Sequence, residues 1–266
     1  MRIAATLDAA QAAHDALSRA GTPGQARGRP AGRGRAAGAT PDGTPQRRGA
    51  FITLEGGEGV GKSTQVRHIV ARLAAAGIKA IATREPGGSP TAEKLRELLL
   101  GGAAKSLGPK AEALLFSAAR IDHIDTIIAP ALAAGTWVIC DRFSDSTRAY
   151  QGTLGGVEPG FLRALERVTL AGLKPDLTLI LDLPAEAGLA RAARRRDASA
   201  ADRFEAEDLR FHEGLRAAFL AIAAAEPGRC VVVDAAHDEE EVAQAIWDAI
   251  SYRLLADRPE RPADGA

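Results

Sequence analysis

A glycine-rich segment between an apolar run and a helical pattern constrains this chain more than any other feature. Residues 56–63 read GGEGVGKS, which matches the pattern GxxxxGK[ST]. The apolar run 50–55 precedes the segment, and a helical pattern over residues 62–76 follows it. A strand, a glycine loop and a helix in this order predict a loop whose backbone N–H groups surround a nucleotide phosphate.

Each position of this loop has an expected part in nucleotide binding. Glycine lets the backbone approach an anion closely. Lys62 is expected to reach the β- and γ-phosphates, and the hydroxyl of Ser63 is expected to bind Mg²⁺. The predicted ligands are therefore ATP and Mg²⁺. The predicted nucleotide-binding residues are Gly56, Gly57, Glu58, Gly59, Val60, Gly61, Lys62, Ser63 and Thr64.

Short apolar runs alternate with helical patterns over the rest of the chain. Uninterrupted β-rich runs separated by helices predict an α/β fold, a doubly wound five-stranded parallel sheet with helices on both faces, as in P-loop NTPases. The predicted strands are residues 50–55, 79–83, 136–140, 177–181 and 229–233. The predicted helices are residues 62–76, 91–100, 110–134, 160–171, 185–196, 202–225 and 239–255. Ligands of such sheets bind at the carboxyl ends of the strands.

The composition changes sharply near residue 49. Residues 21–49 contain no Leu, Ile, Val or aromatic side chain, so they are expected to be disordered. Residues 1–48 hold eight Arg and three Asp, a net charge of +5. We interpret them as a solvated extension, and an arm that binds RNA or a membrane surface is the alternative. The globular domain is expected over residues 49–256, followed by a flexible tail over residues 257–266.

The bulk composition limits the class of protein. The formal net charge of the 266-residue chain is zero, so we expect no nucleic-acid or membrane partner for the core. No run of about 18 apolar residues predicts a transmembrane helix, and the first residues lack a signal-peptide pattern. Cys140 and Cys230 are too few for a disulfide framework. We interpret both as buried thiols of a cytoplasmic protein.

The residues at two later strand ends separate the classes of P-loop protein. A GTPase would carry a base-reading Asn-Lys-x-Asp, and a hydrolytic ATPase often ends a strand with Asp-Glu; neither pattern is present. Here the third run ends in Asp141-Arg142, and the second run is followed by Arg84. Arginine at a strand end offers a bidentate fork to a phosphate. Phosphoryl transfer to a second phosphate-bearing substrate is therefore favoured over a regulatory module that binds ATP.

Four further segments resemble the signatures of thymidylate kinases. They are residues 83–88 (TREPGG), 115–120 (LFSAAR), 141–143 (DRF) and 146–152 (STRAYQG). They occur in family order, and the resemblance covers about residues 50–252. It implies the reaction ATP + dTMP → ADP + dTDP, in dTTP biosynthesis for DNA synthesis. It also implies a homodimer, with the helix near residues 110–134 as a candidate interface. A kinase for another nucleoside monophosphate is the nearest alternative.

The resemblance implies roles in binding the thymine base and the sugar. Phe116 would stack on thymine, and Arg120 would donate to the carbonyl at position 4, which cytosine lacks. Thr147 would bond the base edge. Tyr150 would lie beneath the sugar and crowd a ribose 2′-hydroxyl, and Glu58 would face the 3′-hydroxyl. The implied substrate-binding residues are Glu58, Arg84, Phe116, Arg120, Arg142, Thr147, Tyr150 and Gln151.

The resemblance also implies the residues that act on the phosphates. Arg84 and Arg142 would hold the acceptor 5′-phosphate, and Asp141 would assist Mg²⁺ together with Ser63. The implied catalytic residues are Lys62, Asp141, Arg142, Arg191, Arg194 and Arg195. The five histidines are scattered, and His123 is expected to be structural.

Four arginines near residue 195 end a helical pattern and precede a small polar segment. We predict a lid near residues 190–203 that closes over the phosphates. The alternative is a solvated helix end that complements the helix dipole. Glu58-Gly59 in the phosphate loop, with arginines in the lid, resembles the bacterial-type arrangement of the family. The sequence leaves open which arginine reaches the transferring phosphoryl group.

Overall fold

The structure is built on one sheet of five parallel strands. A computed structural model describes residues 48–195 and 203–256, and for Arg195 the backbone alone. The strand order is β2-β3-β1-β4-β5. The strands are β1 (Phe51–Glu55), β2 (Ala80–Arg84), β3 (Trp137–Asp141), β4 (Leu177–Asp182) and β5 (Cys230–Asp234). The predicted doubly wound α/β fold is confirmed, and each strand lies within one residue of its predicted bounds.

Helices cover both faces of this sheet. The α-helices of the described residues are α1 (Lys62–Ala75), α2 (Pro90–Leu100), α3 (Gly108–His123), α4 (Ala129–Ala133), α5 (Ser144–Thr147), α6 (Pro159–Leu170), α7 (Ala185–Arg195), α8 (Leu209–Ala225) and α9 (Glu239–Ile250). A short 3₁₀ turn covers Lys105–Leu107. Segments of π-helix cover Ile124–Ile128, Arg148–Leu154 and Ser251–Leu255.

The central strand β1 shows why both faces are covered. All five of its residues are buried. Ile52 and Leu54 belong to the core cluster that includes α1 and α9. Phe51 points to the opposite face, where its ring meets that of Phe143 edge to face at 4.9 Å between centroids. Because successive strand residues alternate between the faces, a strand buried along its whole length needs helices on both sides.

One long helix of the sequence prediction is three segments in the structure. The pattern over residues 110–134 predicted a single helix, but α3 ends at His123 and a π-helical segment separates it from α4. Pro130 lies in the first turn of α4. Proline has no N–H to donate to the preceding turn, so a regular helix cannot continue through it unchanged.

The sequence prediction was wrong in two further places, one helix start and one helical region. The helix predicted from residue 202 begins at Leu209, because the side chain of Asp208 caps it by accepting a hydrogen bond from the Phe211 N–H at 2.8 Å. The helical segments that together cover residues 144–154 were not predicted. Their sequence is rich in Ser, Thr, Asp and Gly, which usually favour turns.

The predicted termini lie almost wholly outside the described residues. Of the extension over residues 1–48, only Arg48 is described, and its guanidinium lies 2.7 Å from the carboxylate of Asp176. The tail over residues 257–266 lies outside them as well. None of the helices in the described ranges is long and apolar enough to cross a membrane.

Candidate active site

The phosphate loop, residues 56–63, joins the end of β1 to the start of α1. Gly59 and Gly61 have φ angles of 69° and 95°, in the left-handed region that favours glycine. Among the described residues, no side chain caps the N-terminus of α1. The first N–H groups of this helix therefore face the loop, in the arrangement that binds phosphate groups.

The side chain of Lys62 folds back over this loop. Its ammonium donates to the carbonyl of Gly57 at 2.6 Å and to that of Gly56 at 3.2 Å. Burial and the neighbouring guanidinium of Arg142 lower the pKa of Lys62, against the raising effect of Glu58. A poorly solvated ammonium at the mouth of the loop is stabilised by an incoming anion.

A cavity of about 220 Å³ opens between the phosphate loop, the end of β3 and helix α3. Most of the predicted site residues line it together: Glu58, Gly59, Gly61, Lys62, Ser63, Arg84, Phe116, Arg120, Asp141, Arg142, Thr147, Tyr150 and Gln151. Other lining residues were not singled out from the sequence: Glu85, Pro86, Arg96, Leu100, Phe143, Ser146, Phe204 and Glu205. We call this space the first cavity.

Glu58 forms the centre of a charged group at the floor of the first cavity. One carboxylate oxygen, Oε1, accepts from Arg142 Nη2 at 2.5 Å and from the Tyr150 hydroxyl at 2.8 Å. Burial raises the pKa of Glu58, but Arg142 and Lys62 outweigh it and bring the pKa to about 2. Glu58 is therefore ionised at neutral pH and acts only as a hydrogen-bond acceptor.

Arg142 is held in an unusual backbone conformation. Its φ angle is 69°, although it is not a glycine, and such residues cluster at functional sites. This turn directs the side chain back to the phosphate loop, where Nη1 donates to the Gly56 carbonyl at 3.0 Å and to Ser146 Oγ at 3.3 Å. The guanidinium thus links the loop to Glu58.

The buried carboxylate of Glu55 anchors the segment that carries Arg142. It accepts from the Phe143 N–H at 2.8 Å and from the Ser146 hydroxyl at 2.7 Å. Burial, and then the carboxylate of Asp145, raise the pKa of Glu55 from 4.5 to about 7. Hydrogen bonds and Arg142 oppose this rise but do not cancel it.

Glu55→Gln is expected to change how stability depends on pH. Because folding raises the pKa of Glu55, its contribution to stability is complete below about pH 4.5 and is lost as the pH rises through about 7. Gln mimics the protonated form, so the variant should exceed the wild type in free energy of unfolding by about 3 kcal/mol at alkaline pH and match it in acid. Urea unfolding across this range measures the difference. If the free energies of unfolding of the two proteins changed with pH in parallel, the pKa of Glu55 would not be raised by folding.

Three predicted side chains form the wall farthest from the phosphate loop. Phe116 is half-buried on α3 and packs beside the core cluster that includes Tyr150. Arg120, one turn later, donates through Nη2 to the Phe143 carbonyl at 3.2 Å and to Thr147 Oγ1 at 3.1 Å. An aromatic face beside a fixed guanidinium and a hydroxyl can hold a planar ring that carries hydrogen-bond acceptors.

Arg84 and Gln151 complete the rim of the first cavity. Arg84 Nη2 lies 3.1 and 3.2 Å from the two carboxylate oxygens of Glu93. Arg84 is 55% exposed, and exposed pairs of this kind contribute only about 0–1 kcal/mol. Arg84 can therefore exchange Glu93 for a phosphate at little cost. Gln151 is buried, and its amide donates to Glu112 at 3.4 Å.

Ser63 and Asp141 are the predicted Mg²⁺ ligands, and both line the first cavity. Ser63 is exposed in the first turn of α1, and Asp141 is half-buried at the end of β3. Within the described ranges, no cluster of three or more His, Cys, Asp or Glu side chains is placed to hold a metal ion. One hydroxyl and one carboxylate nevertheless fit Mg²⁺, which usually keeps its waters and takes further oxygens from phosphates.

A second cavity of about 370 Å³ lies between the phosphate loop, α7 and the start of α9. Val60 and Thr64 line it, and so do the predicted catalytic residues Arg191 and Arg194. Arg191 donates to the carbonyls of Ala235 at 2.8 Å and Ala236 at 3.3 Å. Neither arginine lines the first cavity. The side chain of Arg195 and lid residues 196–202 lie outside the described part of the chain.

His212 is a buried histidine near the first cavity to which the sequence analysis gave no role. It is 3% exposed on α8, and its two ring nitrogens have no hydrogen-bond partner among the described residues. Its ring meets that of Phe211, which in turn lies 6.1 Å from the Tyr150 ring. A single histidine within a helical pattern carries no motif, so no signal in the sequence marks it.

Comparison with known proteins gives one consistent result. The family model described as thymidylate kinase matches residues 54–246. The thymidylate kinase of Bradyrhizobium diazoefficiens is 60% identical over 208 residues, covering 78% of this chain and 91% of that protein. The thymidylate kinase of Nitrobacter winogradskyi is 61% identical over 217 residues, covering 82% and 94%. That of Rhodopseudomonas palustris (strain BisB18) is 56% identical over 217 residues, covering 81% and 94%. With the phosphate loop and the first cavity in place, these matches establish that the chain belongs to the thymidylate kinase family.

Proposed function

We propose that this chain phosphorylates dTMP, transferring the γ-phosphoryl group of ATP to give dTDP and ADP. The observation that supports this most directly is the continuity of the first cavity. It runs from Lys62 in the phosphate loop to the wall formed by Phe116 and Arg120. An acceptor whose base lies against that wall directs its phosphate toward the loop. The relatives that match most of the chain are named thymidylate kinases.

The far wall is suited to a thymine base. Phe116 offers an apolar face, and Arg120 offers N–H groups fixed by the Phe143 carbonyl and Thr147. A donor placed here pairs with the carbonyl at position 4 of thymine, whereas cytosine presents an amino group there. Buried polar groups left unpaired by the wrong base make such a site selective.

The group around Glu58 is suited to the deoxyribose. With a pKa of about 2, Glu58 accepts hydrogen bonds at neutral pH, so a sugar 3′-hydroxyl is a matching donor. Tyr150 is held against Glu58 by its own hydroxyl. A ring fixed in this way limits the space for a ribose 2′-hydroxyl and favours the deoxy sugar.

The residues at the loop would act by position and charge. Lys62 and Arg142 place two cations beside the phosphate loop, and Arg84 adds a third at the rim. The dianionic acceptor phosphate attacks the γ-phosphorus in line and needs no strong general base. Preorganised cations stabilise the charge that develops on the transferring group, which is the main contribution to catalysis in reactions of this class.

The donor nucleotide and its metal ion would use both cavities. The phosphate loop binds the donor phosphates, and the second cavity, lined by Arg191 and Arg194, accommodates the rest of ATP. Ser63 and Asp141 would hold Mg²⁺. When bound, Mg²⁺ neutralises charge on the phosphate oxygens. The two cavities share Gly59 and Gly61, so the loop is the natural boundary between donor and acceptor.

A panel of acceptors tests the proposal. The full chain is supplied with ATP, Mg²⁺ and in turn dTMP, dUMP, UMP, CMP, dCMP, AMP or GMP, and ADP formation is coupled to an optical signal. Strong preference for dTMP, weaker use of dUMP and poor use of ribonucleotides are expected. If another monophosphate is preferred, the base assignment is wrong. If no acceptor raises ADP formation above background although ATP binds, the chain is a regulatory ATP-binding module instead.

We also propose that the chain forms a homodimer through α3. Leu114, Ala118 and Ile121 are exposed at i, i+4 and i+7 and form an apolar stripe on this helix. Leu98 on the adjoining helix α2 is 39% exposed and extends the stripe. Apolar patches of this kind on a soluble protein mark contact surfaces. A second copy presents the same stripe, so a two-fold symmetric contact buries both.

Ile121→Glu is expected to break this dimer. The substitution places a charge within the stripe, where pairing would bury it without a partner. The dimer dissociation constant should rise by at least about 10²-fold, measured by light scattering after size-exclusion chromatography. Tyr252→Glu, at a residue that is 79% exposed away from α3, serves as the control. A wild-type monomer, or a variant that stays dimeric, would exclude this interface.

The free thiols support a cytoplasmic location. Cys140 and Cys230 are both buried and unpaired. Burial raises the pKa of each thiol, so both remain protonated and unreactive at neutral pH. Free buried cysteines are typical of proteins kept in a reducing compartment.

A further inference from the structure

A buried chain of hydrogen bonds lies directly behind the base-binding wall. Arg120 Nε donates to Glu85 Oε2 at 2.7 Å. The other oxygen of the same carboxylate, Oε1, lies 3.1 Å from His123 Nδ1. His123 Nε2 in turn lies 2.6 Å from Thr83 Oγ1. The side chains of Arg120, Glu85 and His123 are 3%, 4% and 0% exposed, so the chain is shielded from solvent.

The chemistry of the partners fixes the direction of the hydrogen bonds to Glu85. Its carboxylate, paired with Arg120, only accepts hydrogen bonds, so His123 donates to it through Nδ1–H. The second ring nitrogen, Nε2, shares a hydrogen bond with the Thr83 hydroxyl. Both oxygens of Glu85 and both ring nitrogens of His123 therefore have a partner. Removing any member leaves a buried polar group without its partner.

The backbone holds this chain in one arrangement. Arg120 and His123 are three residues apart on one face of α3 and meet the two oxygens of one carboxylate. The Glu85 N–H donates to the Asp141 carbonyl at 2.9 Å. A Cβ at Gly88 would lie 2.4 Å from His123 Nε2 and 2.6 Å from Thr83 Oγ1. The imidazole is therefore packed tightly on that side.

We propose that Glu85 and His123 are positioning residues that orient Arg120 and thereby set the preference for a base with a carbonyl at position 4. This inference rests on the proposed dTMP kinase activity. Nε of Arg120 is held by Glu85 and Nη2 by Phe143 and Thr147, which leaves the remaining edge of the guanidinium for the cavity that Arg120 lines. Two points of attachment stop rotation of the guanidinium, so its donors face one direction only.

Variants of His123 test this role through selectivity. For His123→Leu, kcat/KM should fall about tenfold for both dTMP and dUMP, mainly through KM, because both bases carry the carbonyl that Arg120 reads. The value for dCMP should change little, and so should KM for ATP. His123→Asn places an amide N–H where Nδ1–H lies and should restore most of the preference. His68→Leu, an imidazole on α1 outside both cavities, is the matched control.

An unchanged ratio of dTMP to dCMP in His123→Leu would overturn the inference. This includes an equal loss for all three acceptors, which a merely structural role predicts. If His123→Leu fails to fold, as judged by circular dichroism, Thr83→Val replaces it. That variant removes only the hydroxyl and should lower the dTMP to dCMP ratio about threefold, and an unchanged ratio again counts against the proposal. A wild-type protein that does not prefer dTMP refutes the proposed function instead.

Discussion

Arg142→Lys is expected to lower kcat/KM for dTMP by about 10³-fold, although the positive charge is kept. The guanidinium uses two nitrogens at once: Nη1 contacts the Gly56 carbonyl and Ser146, and Nη2 contacts Glu58 at 2.5 Å. A lysine ammonium is a single point that cannot span these partners. Glu58 would lose a fixed cation, and the link between the phosphate loop and the floor of the first cavity would be broken.

A matched variant separates this effect from a general loss of stability. Arg148 lies six residues farther along and contacts Asp145 at 3.0 Å and Glu226 at 2.5 Å, away from the first cavity. Arg148→Lys should keep kcat/KM within about threefold of the wild type. Steady-state kinetics with dTMP as the varied substrate compare the two. If Arg142→Lys were as active as Arg148→Lys, the guanidinium fork would have no part in transfer.

The sequence predicted the fold and the phosphate loop because both depend on local patterns. Each strand is a short run rich in apolar residues, and such runs can be recognised without knowledge of distant partners. The conformation of the phosphate loop likewise follows from residues within the GxxxxGK[ST] pattern itself. Residues 144–154 show the limit of this reasoning. Their polar, glycine-containing sequence suggests a turn, yet Glu55 and Glu58, from a distant part of the chain, anchor them as short helical segments through Ser146 and Tyr150.

The residues that support the site were harder to predict than those that line it. Arg120, Phe116 and Glu85 all belong to recognisable segments, but Glu85 and His123 come together only when α3 packs against the end of β2. No spacing along the chain reveals that two side chains will share one carboxylate. The catalytic roles of Arg191 and Arg194 stay a prediction. The structure shows that both line the second cavity, and the sequence did not distinguish the two cavities.

Gly188→Ala is expected to lower kcat/KM for ATP about 10²-fold. Helix α7 touches the phosphate loop backbone to backbone, since a Cβ at Gly188 would lie 2.4 Å from the Glu58 carbonyl oxygen. A Cβ at Gly59 would lie 1.9 Å from the Gly188 carbonyl oxygen, so the contact is close on both sides. Carbon and oxygen normally stay about 3.3 Å apart. The added methyl group must therefore move α7 or the loop by about 1 Å, and a displacement of this size at a catalytic site costs about 10²-fold in rate.

Helix propensity distinguishes this effect from unfolding. Alanine stabilises a helix interior by about 1 kcal/mol relative to glycine, so α7 itself should not be weakened by the substitution. Gly228→Ala is the control, because a Cβ there meets nothing within 4 Å and its φ angle is ordinary. Loss of activity in Gly188→Ala alone, with little change in thermal unfolding, would mean that the arginines of α7 act only when the helix lies directly on the loop. Activity within about threefold of the wild type would mean that the loop tolerates this displacement, and that the position of α7 does not limit transfer.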